Sequence, residues 1–177
     1  MRRFFVLYGK DPSDLILYIK EGSDSDDELN ESRFEIRKKY WTYALDLIQE
    51  ANGDGPFSNV SPSKDNWISG FFGIGGFNIA CVANFDSARV ELYLGKASKE
   101  ENKEAFDKLY SHKEEIENVL GVSLLWNRND DVKASRIYFQ LDDVSIGNES
   151  DWPKMAEFHA EWSKRFYNLI VLEYLAK

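Results

Sequence analysis

Arginine, glutamate and tyrosine alternate with apolar residues along two segments, Arg89-Glu91-Tyr93 and Arg136-Tyr138-Gln140. At a spacing of two, each trio shares one face of a strand, so two such strands could assemble a surface of guanidinium groups and rings. That surface would stack on and hydrogen-bond a base, a peptide or another protein. An ordinary solvated face, with Glu91 paired to an arginine, uses the same residues. Asp86 and Glu91, with Lys96 beyond them, suggest a different chemistry. Carboxylates that hold Mg²⁺ beside a lysine are what a metal-dependent, restriction-endonuclease-like nuclease requires. The pattern is incomplete for that purpose, because Tyr93 rather than a lysine stands two residues after Glu91. Asp142-Asp143 is a further acid pair that reads equally as a turn.

Other reactive residue types point away from catalysis. Gly70, Gly73, Gly75 and Gly76 invite a phosphate-loop reading, yet Phe77-Asn78 stands where a Walker loop needs Lys and Ser/Thr, and a strand follows rather than a helix. A hairpin connection or bulge accounts for them. His159 lies beside the apolar stripe of Met155 and Trp162 and reads as a packed histidine, whereas His112, three residues before Glu115, reads as a surface one. Cys81 alternates with Phe77, Ile79 and Ala83 and reads as a small core residue. One cysteine with two histidines makes neither a disulfide framework nor a Cys/His zinc site. The residues imply no cofactor, and Mg²⁺ enters only with the nuclease reading.

The elements that must position these groups follow from periodicity. FFVLY and LILYI around GKDPSD predict a β-hairpin over residues 1–22. The acid-rich stretch 23–32 predicts a solvated linker. Residues 33–51 have helical spacing, ended by Asn52-Gly53, and Arg37-Lys38-Lys39 falls at the start of this expected helix. Cations there oppose the helix dipole, although they could add phosphate contacts. FNIACVANF, ARVELYL and SRIYFQL alternate as half-buried strands, and VSLLW predicts a short one. Between them, Ser98 with Glu101 and Ser111 with Glu114 offer two capping boxes, consistent with one long helix or two consecutive ones ended by Gly121. From Asp151 onward an amphipathic helix runs to the end with Pro153 in its first turn. Segregated runs of this kind predict an α+β fold, an antiparallel sheet packed by helices with an N-terminal hairpin extension, as one domain over 33–177.

Composition narrows the function classes. Of the 177 residues 43% are hydrophobic and 15% aromatic, which excludes whole-chain disorder. With 22 Lys+Arg against 31 Asp+Glu, the formal charge is −9, which opposes non-specific binding to nucleic acid or anionic lipid. The first 32 residues carry −4 of it, so the body is acidic too. No apolar run reaches the ~20 residues of a membrane span and no signal peptide opens the chain, so the expectation is a cytoplasmic protein without a membrane partner.

From Arg33 onward the chain resembles a prokaryotic family known only as a domain of unknown function. The resemblance rests on RKKYW at 37–41, FSNVSPSKDNWISG at 57–70, GIGGFNIACV at 73–82 and ARVELYLG at 88–95. It continues through ENKEAFDKLYSHKEEIENVLG at 101–121, LLW at 124–126, KASRI at 133–137 and DW at 151–152. In that family the domain is usually C-terminal to a restriction-endonuclease-like nuclease domain, which implies a nucleic-acid or defence setting and carries over no catalytic residues. This chain begins with Met1 and has only the hairpin and acidic stretch upstream, so the resemblance implies a stand-alone version that finds its partner in trans. The matching positions Ser63, Lys64, Trp67, Arg89, Glu91 and Arg136, with Tyr93 and Tyr138 beside them, are the candidate binding surface. Three functions follow: an accessory or binding module linked to nucleic-acid processing, a divergent metal-dependent nuclease using Asp86, Glu91 and Lys96, or a protein-interaction or homodimerisation domain, which the charge favours over nucleic acid.

Overall fold

The chain starts with a two-residue antiparallel pair, β1 (Phe4–Phe5) and β2 (Tyr18–Ile19), in a computed structural model that describes residues 4–5, 18–19 and 25–175. Its GKDPSD turn and the remainder of the expected hairpin lie outside the described residues. Helix α1 (Ser25–Asn52) follows and corrects two expectations. Residues 25–32, expected as linker, form its first turns, because an acid-rich segment suits the partial positive charge of a helix N-terminus. Arg37, Lys38 and Lys39 therefore lie well inside α1 and do not face the dipole at its start. Gly53, at a φ of 57°, ends the helix by returning its amide to the Gln49 carbonyl at 2.8 Å.

Five strands form the central sheet: β3 (Trp67–Gly70), β4 (Phe77–Ala83), β5 (Ser87–Leu94), β6 (Leu125–Asn127) and β7 (Ser135–Asp142). They lie in the order β3-β4-β5-β7-β6 with every pair antiparallel. Helices α2 (Lys99–Tyr110), α3 (Lys113–Leu120) and α4 (Trp152–Phe166) complete an α+β fold. The Ser98–Glu101 capping box is formed, with both reciprocal bonds at 3.1 Å. The second expected box is not: Ser111 instead caps the end of α2, its hydroxyl donating to the Lys108 carbonyl at 2.7 Å. Gly121, at a φ of 72°, closes α3 as expected. The C-terminal helix widens into π-turns over Tyr167–Leu175, which keep Ile170 and Val171 buried with Phe166.

The register divides the sheet into two unlike faces. Ile79, Cys81, Val90, Leu92 and Ile137 point to one side and are fully buried. On this side α4 and α2 cover the sheet, with Trp162 4.2 Å from Phe139 between ring centroids and Phe106 edge-on to Trp126 at 6.1 Å. Helix α1 packs along α4 through Tyr40, Trp41, Ala44 and Ile48. Among the described residues no helix is long and apolar enough to cross a membrane.

Candidate binding face

The other side of the sheet carries three rows of side chains across neighbouring strands. Trp67, Val82, Arg89 and Gln140 form one row, and Ser69, Ala80, Glu91, Tyr138 and Leu125 the next. Asn78, Tyr93, Arg136 and Asn127 form the third. Five of the residues expected to form a surface, Arg89, Glu91, Tyr93, Arg136 and Tyr138, therefore converge, because β5 and β7 are direct neighbours. Glu91 stands opposite small Ala80 across the β4–β5 pair and is only 5% exposed. Its carboxylate bridges two arginines: Arg89 Nε lies 3.0 Å from Oε2 and Arg136 Nε 3.4 Å from Oε1.

Each guanidinium also lies over a ring of the neighbouring strand, Arg89 over Tyr138 on the diagonal at 5.2 Å and Arg136 over Tyr93 directly opposite at 5.1 Å from the centroids. These contacts fix two otherwise flexible side chains in place. The ion pairs are close but poorly aligned. Both arginine Nε groups and Glu91 Oε2 are inaccessible and have no hydrogen-bond partner. Shut off from solvent, these atoms are compensated by the ion pairs alone.

A cavity of about 420 Å³ adjoins the face where the β3–β4 turn crosses the end of β5. It is lined by Phe71, the glycines of the turn, Asn78, Tyr93 and Gly95. Gly73 and Gly76 both take a φ of 82°, which the turn requires and a side chain resists. The glycines thus shape a hairpin connection, as their sequence context indicates. Gly95 has a different role: a Cβ there would stand 2.5 Å from Cε1 of Tyr93, so its absence lets the tyrosine ring lie down beside the cavity. Periodicity did not reveal the cavity, although the glycine directly after ELYL was a signal.

The remaining candidates sit elsewhere. Trp67 shares the face at its β3 edge and is 48% exposed, while Trp41 is core and Trp126 packs under α2 and donates to Glu117 at 3.0 Å. Ser63 and Lys64 belong to a loop tied to α1, through Lys64 over the Phe34 ring at 5.3 Å and Trp41 Nε1 donating to the Asp65 carbonyl at 2.9 Å. Ser63 itself bonds the Asp65 amide at 3.0 Å.

Asp86, Glu91 and Lys96 are not brought together. Asp86 lies in the β4–β5 turn and accepts from Ser87 Oγ at 2.8 Å, whereas Lys96 lies beyond the far end of β5, over the Phe77 ring. The eight residues of β5 stand between Asp86 and Lys96, roughly 27 Å of strand at ~3.4 Å per residue. Among the described residues no group of three or more His, Cys, Asp or Glu is placed to hold a metal ion. Asp142 ends β7, accepting from Gln140 at 2.7 Å, and Asp143 turns the chain at a φ of 58°.

Two buried polar groups are structural. His159 is fully buried between Tyr40, whose hydroxyl lies 2.8 Å from Nδ1, and the Val82 carbonyl, 3.0 Å from Nε2. A carbonyl only accepts, so the proton is on Nε2 and Nδ1 accepts from Tyr40. Burial pushes the His159 pKa down to about 4 and raises those of Tyr40 and Cys81 well above their ordinary values. Lys103, 6% exposed, points into the β6–β7 loop, with Nζ 2.6 Å from the Arg128 carbonyl, 2.8 Å from that of Asn129 and 2.9 Å from Ser135 Oγ. Desolvation lowers its pKa. The sequence reading missed this group, whose signal was a lysine on the apolar face that contains Phe106. Beside it Arg128 makes a paired contact with Asp107 at 2.8 and 2.9 Å and also contacts Asp130.

None of the curated proteins and none of the solved structures matches the chain. The family described as Domain of unknown function (DUF4268) matches residues 36–172, from the middle of α1 through every strand of the central sheet to the C-terminal turns, and the chain belongs to it.

Proposed function

We propose that the chain is a non-enzymatic binding module of a nucleic-acid-processing or defence system, and that the Arg/Tyr face of its sheet is the binding surface. One observation carries this reading: Arg89, Glu91, Tyr93, Arg136 and Tyr138 meet on the side of the sheet opposite the helices. Two oriented guanidinium groups can contact phosphate oxygens, and the tyrosine rings can stack on bases. Glu91 cancels part of the positive charge, so stacking and hydrogen bonds contribute more than bulk attraction. A nuclease acting together with such a module would receive the strand that this face holds.

The test is fluorescence anisotropy with labelled single- and double-stranded DNA at low salt and near 200 mM. Binding that weakens with salt and drops about tenfold or more in Arg136→Ala supports the module. A second reading, a protein-interaction or dimerisation surface, draws on exposed Trp67 and Leu125 at the two edges of the same face. Absence of binding at low salt, together with a dimer in sedimentation that Leu125→Asp dissociates, would overturn the first reading and select the second.

A further inference from the structure

The cavity beside the Arg/Tyr face is not used by the contacts that organise that face, yet the two share Tyr93. One side of the Tyr93 ring is stacked by the Arg136 guanidinium, and the ring also lines the cavity below the β3–β4 turn. Around it stand Phe71, Gly75, Phe77, Asn78 and Gly95. None of these carries a charge, and Phe71 is 71% exposed at the rim. Asn78 is the side chain there with both donor and acceptor capacity, and its Oδ1 lies 3.3 Å from Ser69 Oγ. A Cβ at Gly75 would meet nothing within 4 Å, so the turn leaves open space there that a side chain would otherwise occupy.

A ring-walled cavity with an uncharged lining and one amide, beside a fixed guanidinium and the Lys96 ammonium over the Phe77 ring, fits a flat heterocycle attached to an anionic group. The volume of about 420 Å³ lies within the range of small-molecule sites. Single-stranded nucleic acid has this chemistry, with an unpaired base for the cavity and a phosphate for Arg136. A duplex cannot deliver a base without flipping it out, at an energetic cost. Part of the acidic surplus lies away from this approach: α2 and α3, on the far side of the sheet, carry seven Asp/Glu against four Lys, a net −3 of the −9.

We propose that the cavity under the β3–β4 turn receives one unpaired base of a single-stranded nucleic acid, stacked between Phe71 and Tyr93, while Arg136 contacts the adjoining phosphate. This rests on the binding-module reading and specifies its ligand.

The experiment compares the full chain with three labelled ten-nucleotide strands near 50 mM salt: oligo-dT, oligo-rU and an abasic strand of the same length and charge. The expected result is binding of oligo-dT or oligo-rU that falls about tenfold with the abasic strand and by a similar factor in Phe71→Ala. Phe71 is exposed, so its truncation leaves the fold intact, which circular dichroism would verify. The stronger of the two base-containing strands identifies DNA or RNA as the source. Equal affinity for base-containing and abasic strands, with Arg136→Ala still weakening both, would overturn the cavity proposal and leave the binding module standing. Binding of no strand would overturn both and direct attention to a protein partner.

Discussion

Glu91 is the residue on which the candidate face depends. It lies between two arginines, on a strand whose other side is core, and it brings the guanidinium groups close enough to stack on Tyr93 and Tyr138. Replacing it by glutamine keeps the volume and removes the charge that holds two like charges together. Breaking a fully buried ion pair costs about 3–5 kcal/mol. Both arginines remain about a third exposed, so water screens them and the expected loss for Glu91→Gln is smaller, about 1–3 kcal/mol, read as a lowered urea midpoint. The pattern Arg-x-Glu-x-Tyr was visible in the sequence, as were the matching Arg-x-Tyr-x-Gln positions. That Glu91 joins both strands was not, because a carboxylate's partners depend on which strand lies next to its own. Asp86 and Lys96 show the same limit, since spacing along a chain does not translate into proximity when the residues flank one extended strand.

Individual elements show how local signals compete. The Ser98–Glu101 box caps α2 as its pattern demands, whereas the equally good pattern at Ser111–Glu114 does not, because Ser111 is already committed to ending α2. The acidic stretch before Arg33 illustrates a similar ambiguity: a composition that reads as a linker also suits a helix start. Lys103 belongs to this scale because it joins α2 to the β6–β7 loop and so sets where β7 begins. Its ammonium has carbonyls of the loop on several sides, three of them being those of Arg128, Asn129 and Ala134. Lys103→Met keeps the chain length but leaves these carbonyls without their donor. Hydrogen bonds to charged groups contribute about 1.5–3 kcal/mol each, and the set is not additive, so the expected cost is about 2–4 kcal/mol. Hydrogen exchange should show lost protection across 128–135 while β4 and β5 stay protected.

At the scale of the whole molecule, His159 joins three elements through one ring, taking a hydrogen bond from α1 and giving one to β4 from its place on α4. It is neutral in the fold, with a pKa of about 4 against roughly 6.5 when unfolded. Between those values the unfolded chain binds the extra proton, so this group's contribution to stability falls as the pH drops from about 6.5 towards 4. The full difference corresponds to about 3 kcal/mol. His159→Asn should be less stable at pH 7 and lack this part of the slope, which urea melts of both proteins from pH 4 to 7 would reveal. Equal slopes in the two proteins would show that carboxylates alone govern acid sensitivity.

What the sequence determined by itself was the type of each element and the composition of each face. Alternation at a period of two places Val90, Leu92 and Leu94 opposite Arg89, Glu91 and Tyr93 whatever else the chain does. Helical spacing likewise defined the buried stripes of α1 and α4. These are local properties, written in residues a few positions apart. The tertiary structure decided everything that depends on residues far apart in the chain. Placing β7 rather than β6 beside β5 brings Arg136 over Tyr93, and folding the β3–β4 turn across the end of β5 creates a cavity at the same ring. Strand order is set by how the buried faces pack against α2 and α4, a cooperative choice among distant segments that no window of neighbouring residues encodes.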